Sequence, residues 1–532
     1  MSTADTTAGA GAAGAAAENG HITGFATKGY RSYVLTSLLV IYILNFVDRA
    51  LLGVVGPALL AELRIDDFVF GLLTGPAFAI LYTFIGLPLA RVAETRNRVW
   101  IIAICLALWS LMTALCGLAN PVTIGGFTIG AIWVLAACRV GVGIGEAGCT
   151  PPANSLIADY YPPSRRSTAL GYYAMGVTIG TGLSYLIGGT IVDLLSWRAA
   201  FILLGLPGIA VAVLFKLTVK EPPRGYSDPP NVVKQERAEL SVAVRELLSK
   251  PSYWVMTVGA TLAAFCGYAI AVFQSLYIQR TFGLTAGEAA VWLVFPSYLA
   301  SAVGTFFVGW LAERMMRRSQ SAIAWMPGLG LIICVPFYFL AFTTPVLLVA
   351  FIGLCLGGFI KYGYLAAQYT IGQGVVSMRV RATSIAVLLF VVNLFGYGLG
   401  PTFAGIVSEQ FFARQVAGSE YAAAVTRVQC NSAQYQVILE ERRLRAEAPE
   451  SVSVPAVLFG GQQRTERVVG AERATFLATL EEPISVEQYE FCVEANASST
   501  RTSMLAISLI YALAGLMFLL CALRLNRDMI AK

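Results

Sequence analysis

The chain has 532 residues, 57% of them hydrophobic and 13% charged. Soluble domains carry about 25% charged residues, so this composition excludes an ordinary soluble enzyme and a nucleic-acid binder. The single histidine, His21, also excludes a His-based triad or zinc site inside the apolar part, and the net charge of +6 belongs to loops.

Residues 1–28 are rich in Ala, Gly and Thr without apolar periodicity. They are expected to form a disordered cytoplasmic tail, and they lack the basic start and apolar stretch of a cleaved signal. Apolar runs of membrane length follow at 33–61, 68–92, 99–119, 127–157, 168–193 and 198–219. A polar stretch over 220–250 interrupts them, and six more runs occupy 252–281, 286–312, 322–343, 345–371, 382–408 and 503–525. These are spans 1 to 12, and they predict an all-α polytopic membrane protein. The expected organisation is a six-helix bundle over 29–219, a cytoplasmic linker over 220–250 and helices 7–11 over 251–408. An outer insert over 409–500 follows, then helix 12 and a cytoplasmic tail over 501–532.

Orientation follows from Lys and Arg in short loops. One side holds Arg91, Arg96, Arg98, Arg165, Arg166, Lys220, Arg224, Arg314, Arg317, Arg318, Arg379, Arg381, Arg524 and Arg527. The other side holds little more than Arg64, Arg198 and Arg280. The basic side is expected to face the cytoplasm, with both termini there. Within the linker, Val232 to Leu248 suits an interfacial amphipathic helix. The insert carries Cys430 and Cys492, and such a pair in an oxidising compartment is expected to form a disulfide.

Chemistry concentrates in a few places. Span 1 carries Leu44-Asn45-Phe46-Val47-Asp48-Arg49 with apolar sequence on both sides. An acid in mid-membrane costs on the order of 2.5 to 3.5 kcal/mol and normally faces a partner or a water-filled cavity. Asp48 is therefore read as facing a cavity; a helix end near the membrane surface is the other reading. Span 4 carries Cys138-Arg139-Val140-Gly141-Val142-Gly143-Ile144-Gly145-Glu146-Ala147-Gly148. Its glycines formally fit a dinucleotide fingerprint, but no strand precedes them, and close packing against a neighbouring helix explains them better. Arg139 and Glu146 are seven apart, about 700° of rotation and about 10.5 Å along the axis. They share a stripe but cannot pair directly. A residue of another helix fits between them, and Asp48 is the natural candidate. Asp48 held against Arg139 differs in its grip on a proton from Asp48 parted from it, which can couple a proton to a change of shape. A permanent structural ion pair is the alternative, and Glu146 has the same two readings.

Two loops repeat a pattern. Ala90-Arg91-Val92-Ala93-Glu94-Thr95-Arg96-Asn97-Arg98 follows span 2, and Gly309-Trp310-Leu311-Ala312-Glu313-Arg314-Met315-Met316-Arg317-Arg318 follows span 8. An acid followed by basic residues at the same place in each half is an internal repeat. Glu94, Arg98, Glu313, Arg314 and Arg317 are thus candidate cytoplasmic gate residues.

Together these features resemble the major facilitator superfamily. The loops match its Gly-x-Leu-Ala-Asp-Arg-x-Gly-Arg-Arg signature, with Glu94 and Glu313 in place of Asp and Ala90 in place of the first Gly. Trp197-Arg198-Ala-Ala-Phe201 at the start of span 6 is similar too. Within the superfamily, Asn45-Phe-Val-Asp48-Arg49, Arg139 through Ala147, Ile157-Ala158-Asp159-Tyr160, Arg166 and the run Gly180 to Tyr185 resemble the spinster-type lipid transporters, as a bacterial inner-membrane member. The resemblance implies two pseudosymmetric six-helix bundles. It also implies proton-linked movement of lysophospholipids or sphingoid phosphates, with Asp48 and Arg139 as the switch and Glu146 nearby. The insert departs from the family pattern.

In the second half, Lys361 is followed by Tyr364 and Gln368 on one helical face. Lys361 is read as meeting an anionic headgroup or as snorkelling to an interface. With Asn45, Gln274, Ser275, Asn393 and Tyr397 these residues are the candidate substrate contacts; each also reads as interhelical glue. A greasy cavity with few polar anchors suits an amphipath. The expected partners are that lipid, protons and the bilayer, with the protein a monomer needing no cofactor. An organic-anion or multidrug transporter of the same fold, and a sensor using the insert, are the rivals. A membrane enzyme finds no nucleophile–base pair or metal cluster, and no P-loop is present for direct ATP drive.

Overall fold

The computed structural model describes residues 23–124, 127–228, 240–316, 319–377, 379–422, 424–447 and 473–529. The tail over 1–22, the linker over 229–239, the insert over 448–472, Arg317, Arg318 and residues 530–532 lie outside the described residues, as does the side chain of Glu313.

Among the described residues, twelve helices are long and apolar enough to cross a membrane: Lys28–Leu63, Asp67–Thr95, Arg98–Cys116, Ala131–Tyr160, Pro163–Leu194, Trp197–Thr218, Pro251–Phe282, Ala286–Val308, Ala322–Thr343, Leu347–Gly374, Thr383–Ala417 and Val486–Asp528. Large apolar side chains such as Trp133, Phe306 and Leu523 stand 72%, 79% and 78% exposed on the outer faces, as residues facing hydrocarbon do. Apart from the linker after span 6 and the insert after span 11, the connections are short, so the spans they join run antiparallel. Spans 1 to 6 pack together through pairs such as span 3 with span 6 and span 1 with span 5. Spans 7 to 12 do so through span 12, which lies against spans 7 and 9.

Local chemistry sets the ends. Asp66, Asn97 and Ser196 cap spans 2, 3 and 6 by accepting from the backbone N–H groups of Val69, Trp100 and Ala199 at 2.8, 2.9 and 3.1 Å. Thr285 with Glu288, and Ser485 with Gln488, form reciprocal capping boxes ahead of spans 8 and 12. Arg64 (φ 53°) and Gly283 (φ 63°) end spans 1 and 7 in the left-handed region. Several spans are broken in mid-course. Span 2 breaks at Gly75, and span 10 between Lys361 and Tyr364. Span 8 contains a π-helical segment at Ala290–Val294, and span 11 one at Val392–Tyr397. Such breaks free backbone groups and redirect side chains, which membrane helices tolerate where they line a cavity.

The structure differs from the expected boundaries in four places. Span 1 begins at Lys28, and the residues before it are packed: Phe25 donates its N–H to the Tyr160 carbonyl at 3.1 Å and lies edge-on to Tyr160 and Tyr226. Residues 127–129, expected to open span 4, belong instead to a small antiparallel pair, β1 (Val122–Ile124) and β2 (Phe127–Ile129). In the linker, Leu240–Leu248 is a helix against span 7 and the start of span 11, where Glu246 accepts from Ser377. The insert is shorter than its polarity suggests. Span 11 continues to Ala417, span 12 starts at Val486, and a further helix, Arg427–Glu447, lies between them. Ser408, Ser499 and Thr500 made these helix ends look loop-like; their hydroxyls serve a buried charge cluster at that end of the molecule.

Candidate functional site

A group of buried polar side chains in the first half lies where spans 1, 3 and 4 meet span 2. Gly143 and Gly145 make that meeting possible. A Cβ on Gly143 would stand 2.7 Å from the Phe78 carbonyl, and one on Gly145 would stand 2.7 Å from the Trp109 Cβ. Asn45, Asp48, Arg139 and Glu146 are each no more than 2% exposed.

The pairing differs from the one expected. Glu146 is held by Arg49, which donates from Nη2 at 2.6 Å and from Nε at 3.0 Å. Among the described residues no ion pair joins Asp48 to Arg139. One oxygen of Asp48 and the Nε and Nη1 of Arg139 have no hydrogen-bond partner. Asn45 Nδ2, Glu146 Oε1, Thr113 Oγ1 and Trp109 Nε1 are likewise unpartnered. Around Asp48 stand Glu146, Thr113, Arg139 and Trp109. The physical reason for the changed partner is rotation: Asp48 and Arg49 are consecutive, so their side chains leave span 1 about 100° apart. Asp48 does face the seven-residue stripe on span 4, with Glu146 and Arg139 beside it, but the bond to Glu146 is made by the next residue along, Arg49. Sequence reasoning gave Arg49 no role; its four-residue spacing from Asn45 was the available signal.

Arg49 sits in an aromatic box, with its guanidinium carbon 4.9 Å from the ring centres of Phe46, Phe78 and Tyr82. Arg139 lies 5.4 Å from the same Phe78 ring. Tyr268 of span 7 faces Arg49 from the other half and stacks on Tyr397 of span 11 at 4.2 Å. A tyrosine-rich seam therefore continues the polar cluster into the second half.

There the candidate contacts spread over several spans. Lys361, 5% exposed, ends the first segment of span 10, with its ammonium 4.7 Å from the Tyr362 ring centre and 5.6 Å from that of Tyr338. Among the described residues no carboxylate pairs with it. Tyr364 and Gln368 are buried on the second segment of span 10, and Gln368 Oε1 is unpartnered. Asn393 and Tyr397 are half-buried in the π-helical part of span 11. Gln274 and Ser275 are already engaged: Gln274 donates to Ser297 at 3.3 Å, and Gln279 donates to Ser275 at 3.0 Å. That is the packing alternative raised for such groups.

Of the residues read as a cytoplasmic gate, the side chains of Glu94, Arg98 and Arg314 are described. Arg98 is fully buried, donating to Asp159 at 2.5 Å, Glu221 at 2.6 Å and Ser155 at 2.8 Å, all within the first half and the start of the linker. Glu94 and Arg314 are exposed. Cys430 and Cys492 are joined as a disulfide, with their Cα atoms 5.0 Å apart.

Twelve spans in two bundles, broken helices and a buried charge cluster at the seam define a multi-pass membrane transporter of the secondary kind. Residues 38–414 match the Major Facilitator Superfamily, and the chain belongs to that family. Its members are transporters and not enzymes. Among solved structures, the chain is similar to a bacterial homolog of the human lysosomal transporter Spinster in an inward-facing, unoccupied conformation. Identity is 35% over 95% of this chain and 100% of that one, with a TM-score of 0.75. An MFS-type efflux pump of Mycolicibacterium smegmatis is 31% identical over 69% of this chain and 82% of its own length. Protein spinster homolog 1 of Xenopus laevis is 24% identical over 72% and 74% respectively. The chain is thus a spinster-like secondary transporter.

Proposed function

We propose that the protein moves an anionic amphipathic lipid, of the lysophospholipid or sphingoid phosphate class, by proton-coupled alternating access. The observation that carries this reading is the midplane cluster. Arg49–Glu146 is paired, while Asp48 and Arg139 beside it keep unbonded polar atoms inside the membrane. An unbonded carboxylate next to an unbonded guanidinium is a site that changes its partners during the cycle, and Asp48 is the group that carries the proton. In the occluded and outward-facing states Asp48 meets Arg139. Lys361, buried without a counter-ion among the described residues, receives the acidic headgroup, and the aromatic seam from Tyr82 through Tyr268 to Tyr397 covers the acyl chain. The similarity to the spinster group supports the substrate class.

The basic loops support a cytoplasmic linker end with both termini there, and the disulfide supports a periplasmic insert. The protein works as a monomer in the inner membrane.

A second reading, efflux of organic anions or drugs, is favoured by the name of the M. smegmatis relative. Proteoliposome flux with and without an imposed proton gradient separates the two, together with mass spectrometry of copurifying lipids. Gradient-dependent flux of a lysophospholipid is expected. Flux confined to small anions would reject the lipid assignment, and gradient-independent lipid flux would reject the coupling.

A further inference from the structure

The end of the molecule that carries the insert is closed by two seams between the halves. At one, Asp67 at the start of span 2 reaches across to Arg280 of span 7, which donates to it from both Nη1 and Nη2 at 2.7 Å. At the other, Asp193 at the end of span 5 accepts from the hydroxyl of Thr285, the cap of span 8, at 2.5 Å and from the N–H of Gly287 in its first turn at 3.0 Å. The helix Arg427–Glu447 adds an arginine to each. Arg427 is bonded to Asp67 and also donates to Ser499 at 2.7 Å and Ser408 at 2.9 Å. Arg442 is bonded to the Asp193 carbonyl and lies 3.8 Å from its carboxylate. The two arginines are fifteen positions apart, about 22 Å along one helix and on nearly the same side of it. The helix is bonded covalently to the second half through Cys430 and Cys492 of span 12, and it donates from Gln434 to the Arg280 carbonyl at 3.0 Å.

We propose that the insert helix is a bolt across the closed insert end. It travels with the second half, and opening that end requires Asp67 and Asp193 of the first half to withdraw from Arg427 and Arg442. The geometry also supplies the partner that receives Arg427 afterwards. Glu409 of span 11, in the same half, has its Oε2 3.9 Å from Arg427 Nε, and neither atom has a hydrogen-bond partner. A small rotation of the guanidinium exchanges Asp67 for Glu409, so the charge is never stranded during opening. This device stands whichever substrate is carried.

The test uses the full chain in nanodiscs with spin labels at Leu118→Cys in the first half and Val346→Cys in the second, both exposed at the insert end. Pulsed distance measurement is expected to give one dominant short population. Arg427→Gln with Arg442→Gln should raise the ratio of long to short distances roughly tenfold. Reducing the Cys430–Cys492 disulfide in the folded labelled protein with no other substitution, the labels being attached through thioether bonds that a reductant leaves intact, should shift it the same way. Glu409→Gln, measured on the Arg442→Gln background where both populations are visible, should shift it the opposite way, because the open state loses its acceptor. General loosening of the fold cannot produce that sign. Unchanged distances in the double variant and after reduction would overturn the bolt, and lengthening in the Glu409 variant would overturn the exchange.

Discussion

Two buried charge clusters lie at different levels of this molecule, and they differ in how the central carboxylate is bonded. At the insert end, Asp67 accepts from two guanidiniums and the Ser408 hydroxyl, so its carboxylate is fully engaged across the seam. At the midplane, Arg49 and Glu146 are paired while Asp48, Arg139, Asn45, Thr113 and Trp109 retain unpartnered polar atoms. Burying polar groups without partners costs about 1 to 3 kcal/mol each in proteins. A carboxylate held for stability alone saturates, as Asp67 does, even though Arg427 Nε and Glu409 Oε2 beside it make no hydrogen bond. Asp48 has no such set of donors, in keeping with the proposal that its bonding changes during a cycle.

The strongest way to break this comparison is Asp67→Ala. It strands Arg280 and Arg427, both no more than 5% exposed, and should cost about 3 to 5 kcal/mol. Thermal unfolding of the purified protein followed by tryptophan fluorescence measures it. A loss below about 1 kcal/mol would mean that the saturated cluster is not a lock. Next comes Glu146→Gln, which leaves Arg49 charged within its aromatic box. We expect about 2 to 3 kcal/mol and near-complete loss of transport. Wild-type flux in this variant would remove the Arg49–Glu146 pair from the mechanism.

The sequence disclosed these clusters unevenly. Apolar runs of membrane length, bounded by basic loops, made the twelve spans legible, and the same runs made Asp48 conspicuous. The stripe of Arg139 and Glu146 on span 4 was legible from helical arithmetic. Which residue of span 1 bonds to Glu146 was not, because a helix's rotation about its own axis is set by packing against its neighbours. A turn of about 100° exchanges Asp48 for Arg49. The insert-end cluster was missed for another reason. Asp67, Arg280 and Arg427 stand far apart in the chain, at span ends where charged residues normally meet water. Nothing local marks them as partners. Cys430 and Cys492 were legible because oxidation chemistry restricts where a paired cysteine is used.

A smaller effect is expected at Lys361. Lys361→Met keeps the length and apolar stem of the side chain, so stability should change by less than about 0.5 kcal/mol. Affinity for an acidic lysolipid should fall roughly tenfold, and that for a zwitterionic one much less. Equal losses for both would make Lys361 a packing residue.

Asp48→Asn sharpens the comparison most while disturbing the fold least. The substitution keeps the shape, and the structure gives Asp48 no ion pair to lose, so the melting temperature should move by less than the Asp67→Ala shift by severalfold. Its consequence lies in the pH response. With no carboxylate to take up or release a proton, uptake driven by a proton gradient should fall to the level of downhill exchange. The pH midpoint of opening, read from the labels at the insert end, should disappear. If that midpoint survives unchanged in the Asn variant, the proton is carried elsewhere, and Glu146, the other carboxylate of the cluster, becomes the group to test. If stability collapses instead, Asp48 is bonded in the resting state more tightly than its geometry allows, and the contrast between a saturated lock and an unsaturated working site fails.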